Sequence, residues 1–145
     1  MHGTIVCGVV DSAEGRAAAQ LAAAVAARLG LRLVLVHVVA RREASDSDRP
    51  VEQALEQIAH ALDDGAETRL VHGNRVDGLA GVAAEEGADV IVLGSRSHGA
   101  RGRQLGCALA CELEAVQSVP VLIAPPSTRE RSRHRLALAE AADRR

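Results

Sequence analysis

The 145-residue sequence predicts an α/β fold: a doubly wound, five-stranded parallel sheet with helices on both faces. Three observations carry that prediction. Short apolar runs alternate strictly with segments of helical spacing, in the order β-α-β-α-β-α-β-α-β, and this alternation requires parallel strands joined by crossover helices. The second run, Leu31–Val39 (LRLVLVHVV), is apolar almost throughout, as suits a strand covered on both faces. The length is about that of one domain.

The elements follow in order. Thr4–Val10 (TIVCGVV) reads as the first strand. Alanine-rich Ala13–Leu29 reads as the first helix, and Gly30 stands where a left-handed cap closes it. Leu31–Val39 is the second strand. Charged Arg41–Arg49 reads as a loop, and Pro50 fits the first turn of a second helix. That helix has an apolar stripe at Val51, Leu55, Ile58 and Leu62, and Asp63–Asp64–Gly65 ends it. Ala66–Val71 is the third strand, placed at an edge because Glu67 and Arg69 alternate with apolar neighbours. Gly73–Asn74 turns into a third helix marked by Val76, Leu79, Val82 and Ala83 and closed by Gly87. Ala88–Leu93 is a central fourth strand, and Leu105, Leu109, Leu113 and Val116 share a face of the fourth helix. Pro120–Ala124 is the fifth strand, with proline at its first residue, where a missing N–H is tolerated. Residues 1–126 thus read as one α/β domain and 127–145 as an Arg-rich, flexible tail.

Composition removes several function classes. The chain has no Phe, Tyr or Trp, which argues against modules that stack on nucleic-acid bases. No apolar run approaches the ~18 residues of a membrane helix. Three cysteines do not make a disulfide framework, and no basic, apolar leader precedes Thr4, so a reducing cytoplasm is the expected compartment. The net charge of −2 divides into −5 over residues 1–126 and +3 over 127–145. The tail arginines Arg129, Arg131, Arg133 and Arg135 read as a solvated segment.

In doubly wound sheets a ligand crevice opens beyond the C-terminal strand ends, where strand order reverses. With the first and fourth strands adjacent there, Asp11 and Gly94 stand at the mouth of one crevice. The stretch Gly94–Gly106 (GSRSHGARGRQLG) holds four glycines, three arginines and no acid. Read by itself it is either a phosphate cradle or a solvated loop. It lacks the GK[ST] ending of a Walker loop and the glycine spacing of a dinucleotide fingerprint.

The arrangement resembles the universal stress protein family. The matching pieces are Val9–Val10–Asp11 at the end of the first strand, the Ala-rich helix after it, and His37–Val38–Val39. They continue with Glu86–Gly87–Ala88–Asp89–Val90–Ile91–Val92–Leu93–Gly94–Ser95–Arg96 and Pro120–Val121–Leu122–Ile123. The resemblance implies a strand order of 3-2-1-4-5 and an adenine-nucleotide site, with ATP the ligand of its nucleotide-binding members. Asp11 matches the acid that meets the ribose, and Val38 matches the position whose backbone pairs with the adenine edge. The phosphate loop of ATP-binding members is written G-x2-G-x9-G-[ST]. Gly94 matches its first glycine, and Arg96 adds a positive charge beside it. Ser97 stands at the second glycine, and Cys107–Ala108 stand where Gly-Ser belongs. Each charge-assisted phosphate contact is worth on the order of 1.5–3 kcal/mol, so losing two weakens binding roughly 10²-fold or more.

Read without the resemblance, Asp11 is equally a helix cap and Val38 a core residue. Cys7, Cys107 and Cys111 read as packing cysteines, with thiol reactivity at Cys107 a secondary possibility. His98 reads as a solvated loop histidine, His37 as structural, and His72 shows no partnering pattern. No nucleophile–base pair or carboxylate pair emerges. The expected function is a non-catalytic, dimeric interaction module with a degenerate adenine-nucleotide site. The alternatives are an ATP-binding regulatory protein and a weak ATPase or thiol-redox protein. The resemblance places a homodimer contact on the fifth strand, at Val121, Leu122, Ile123 and Ala124, and an exposed apolar edge favours such pairing.

Overall fold

The computed structural model describes residues 3–9, 13–40, 46, 48–62, 65–94, 99–125 and 142–143, with 13–14 and 99–107 as backbone only. Nine elements alternate along the body: β1 (Thr4–Gly8), α1 (Ala13–Leu29), β2 (Arg32–Val39), α2 (Asp48–His60), β3 (Glu67–His72), α3 (Arg75–Glu86), β4 (Ala88–Gly94), α4 (Gly99–Val116) and β5 (Val121–Ala124). The strands form a five-stranded sheet in the order β3-β2-β1-β4-β5, and every pairing is parallel. Fold class, strand order and the edge position of β3 are as the sequence predicts.

Alternation along each strand sorts side chains to two cores. Ile5, Cys7, Leu33, Leu35 and Val92 face the alanines of α1 together with Leu55 and Ile58 of α2. Val6, Val34, Val36, Ile91 and Leu93 face Leu79 and Val82 of α3 and Leu113 of α4. With no aromatic side chain to fill space, α1 presents alanines (Ala18, Ala19, Ala22, Ala26) and lies close on the sheet. Gly30 and Gly87 take positive φ (67° and 61°) at the ends of α1 and α3, the caps expected of them. Asn74 caps the start of α3, its side-chain oxygen accepting from the Val76 and Asp77 N–H groups at 2.8 and 3.4 Å.

Two differences from the sequence reading lie near the sheet's C-terminal edge. The glycine-rich stretch is helical from Gly99 onward instead of looping to Gly106. Ala100, Arg101, Arg103, Gln104 and Leu105 are strong helix formers, and no proline interrupts them. Their propensity outweighs glycines that each cost about 1 kcal/mol. The first strand closes at Gly8, two residues before the predicted Val10. Cys111 is exposed on α4, so it is not the packing cysteine expected there. Residues 127–141 and the tail's end lie outside the described residues.

Candidate functional site

The site is built by strands of unequal length. At the C-terminal edge β1 stops at Gly8, beside Val36 of β2 and Leu93 of β4. The tips of the first and fourth strands are therefore adjacent, as the crevice argument requires. β2 runs on to Val39, and past Val36 its one strand neighbour among the described residues is β3, with Val38 opposite Val71 and Val39 opposite His72. The Val9 N–H donates to the Val36 carbonyl at 2.8 Å, so the backbone polar groups of Val36 point toward β1. Those of Val39 point the other way, since its carbonyl accepts from the Gly73 N–H at 2.8 Å. Alternation then turns the N–H and C=O of Val38 toward β1's side, past the point where β1 has ended. One residue thus turns a donor and an acceptor, side by side, toward the switch point of the sheet. Among the described residues no strand pairs with them there, and backbone polar groups require a partner.

The end of β2 is fixed on both faces. His37 points to the α1–α2 side, and its Nδ1 lies 2.7 Å from the Val9 carbonyl. A carbonyl only accepts, so Nδ1 carries the proton and ties the chain leaving β1 to β2. Val38 points to the opposite side and packs against the core of α3 and α4. One strand further out, His72 Nε2 sits 2.8 Å from Oδ2 of Asp48, a buried carboxylate at the first residue of α2. No local pattern announces this pair, because its partners are 24 residues apart.

Of the predicted site residues, Val38 and Gly94 lie at this edge. Gly94 is the half-buried last residue of β4, opposite Ala124. Asp11, Arg96 and Ser97 lie outside the described residues. Cys107 and Ala108 lie more than two turns inside α4, where their backbone N–H groups are spent on the helix's own bonds, and Ala108 is exposed. Cys7 is buried, and burial pushes its thiol up to about 12, which keeps it protonated and unreactive. Among the described residues no group of three or more His, Cys, Asp or Glu is placed to hold a metal ion. No described helix is long and apolar enough to cross a membrane.

The comparisons agree with this fold. The model of the universal stress protein family matches residues 1–125. A crystal structure of a universal stress protein in complex with cAMP is 26% identical and superposes with a TM-score of 0.67, covering 84% of this chain and 95% of that one. A member of the same family from Burkholderia pseudomallei is 25% identical, with a TM-score of 0.60 and coverage of 86% and 97%. The universal stress protein from Archaeoglobus fulgidus in complex with dAMP shares the fold at 20% identity, with a TM-score of 0.62 and coverage of 86% and 98%. A search of curated proteins returns no match. The matched region contains every strand and helix of the body, and the chain belongs to the universal stress protein family.

Proposed function

We propose that this chain is a non-catalytic regulatory module whose crevice holds an adenine nucleotide chiefly by its adenosine half. The observation that carries the reading is the pair of backbone groups at Val38. Adenine's Watson–Crick edge presents one donor (the 6-amino group) beside one acceptor (N1), which suits a C=O beside an N–H. Asp11, three residues past the end of β1 in sequence, is the residue this reading assigns to the ribose. The cAMP complex of the 26%-identical relative supports an adenine nucleotide as the ligand class.

The phosphate half supports a short phosphate. In α4 the residues standing in for the family's Gly-Ser, Cys107 and Ala108, have no free N–H groups, and Ala108 has no hydroxyl. A triphosphate therefore gains little over a monophosphate. Calorimetry tests this, since a chain without Trp or Tyr offers no intrinsic fluorescence. Saturable micromolar binding of AMP or cAMP, lost in Asp11→Ala and Gly94→Asp, is expected, with ATP bound no more tightly. ATP binding tenfold tighter than AMP overturns the short-phosphate reading, and absence of any adenine-nucleotide heat overturns the site.

The same reading makes the module a homodimer through β5. That strand is an edge of the sheet, and Leu122 on it is 42% exposed. Sedimentation of the wild type as a dimer and of Leu122→Lys as a monomer is the expected outcome. A monomeric wild type overturns it.

A further inference from the structure

We propose that Gly78 is a positioning residue for adenine recognition: it lets α3 settle onto β2 at the depth that sets the Val38 backbone groups. The inference rests on the adenine reading above. Gly78 lies inside α3, and its φ is not in the left-handed region, so its backbone is open to any residue. Glycine in a helix interior costs about 1 kcal/mol relative to alanine. Backbone conformation does not account for it, but space does. A Cβ at Gly78 would lie 3.0 Å from Val38 Cγ2, 3.2 Å from Val38 Cγ1 and 3.2 Å from Val71 Cγ2. Gly81, further along the same helix, would meet nothing within 4 Å. The two glycines of α3 thus answer different demands.

The side chains that Gly78 accommodates have little freedom to yield. Valine is stiff at χ1, and with both γ-carbons of Val38 close to the added atom, rotating one methyl away leaves the other in contact. Relief comes from moving the helix or the strand by a few tenths of an ångström. Among the described residues, Val34 and Val36 are held by strands on both sides, whereas Val38 has a strand partner only in β3. The displacement therefore falls on Val38, the residue whose N–H and C=O meet the base. Hydrogen bonds weaken with such misalignment.

The test uses AMP and IMP as probes on the full chain. IMP carries the reversed edge, an acceptor at O6 and a donor at N1. In Gly78→Ala, AMP binding is expected to weaken roughly three- to tenfold, the equivalent of one compromised hydrogen bond, and the AMP-over-IMP preference to shrink with it. The Val38 amide resonance moves in the same variant. Gly78→Ala combined with Val38→Ala restores AMP affinity to within about twofold, because the methyls are gone and the backbone groups remain. Gly81→Ala binds as the wild type does. Unchanged AMP affinity in Gly78→Ala, or a loss that Val38→Ala does not repair, overturns this inference alone. A wild-type protein that binds no AMP overturns the adenine reading and this inference together.

Discussion

His72 holds Asp48 through Nε2 and Oδ2, 2.8 Å apart, and so joins the last residue of β3 to the first residue of α2. The carboxylate is buried, and water cannot readily replace the imidazole. His72→Ala is expected to destabilise the protein by about 1–3 kcal/mol, the range for depriving a buried acceptor of a partner. His72→Gln, which keeps a donor, loses less. Urea unfolding midpoints measure both, and equal midpoints for wild type and His72→Ala would show that the pair contributes nothing.

Cys7 makes stability fall at alkaline pH. Its folded thiol titrates at about 12, raised by burial, while an unfolded thiol titrates near the ordinary value of 9.0. Between those values the folded chain keeps a proton that the unfolded chain releases. Stability is therefore unaffected by this group below pH ~9 and declines above it, by up to ~1.4 kcal/mol per pH unit until about pH 12. The chain contains no Lys or Tyr, and a Cys107→Ser, Cys111→Ser background removes the other two thiols from this range. Unfolding measured from pH 8 to 11 should show the decline in wild type and a flatter profile in Cys7→Ala. In a Cys107→Ser background, thiol reagents should label Cys111 quickly and Cys7 only on unfolding.

Glu86 is shared by two arginines. It pairs with Arg32 at the start of β2 and with Arg69 of β3 at 3.4 Å, while Arg69 also meets Glu85 at 2.6 Å. A carboxylate at a helix C-terminus is unfavourable by itself, and these cations compensate it. Glu86 is also less exposed than Glu67, which meets Arg32 at 3.2 Å. Glu86→Ala is expected to cost about 0.5–1.5 kcal/mol and Glu67→Ala less than about 0.5, since exposed pairs contribute little. Repeating the unfolding in about 1 M salt should shrink both differences.

Gly3 makes room for a backbone clamp. The buried Thr4 N–H donates to Asp89 Oδ2 at 2.9 Å, and a Cβ on Gly3 would run into that carboxylate and into Leu31. Asp89 can swing away, so Gly3→Ala should cost about the value of the lost hydrogen bond, 0.5–1.5 kcal/mol. Asp89→Ala should cost the same, and the double variant scarcely more than either. Additive losses would separate the two effects.

The fold was legible because its signals are local and repeated. The Leu31–Val39 run, the α2 stripe through Leu55 and Ile58, and the capping glycines Gly30 and Gly87 each announce one element, and their alternation fixes the class. The site was legible only in part. Val38 carries no side-chain signature, because the groups proposed to meet the base are its backbone beyond the end of β1, and strand length is a tertiary outcome. The start of α4 was missed because glycine content was read as a loop, where five good helix formers between the glycines prevail. The His72–Asp48 pair joins residues distant in sequence. Gly78 left a trace that sequence can show, a glycine at an interior helix position, but its reason appears only when Val38 and Val71 are seen beneath it.

On the proposed reading the base is met by backbone beyond the point where β1 falls short of β2, so its recognition does not pass through the glycine signature of the phosphate loop. Substitutions in the phosphate loop can accumulate without erasing it. On that reading, sorting members of this family by their glycine signature alone would misfile proteins of this kind, since a chain with a weakened grip on triphosphate would still read a purine.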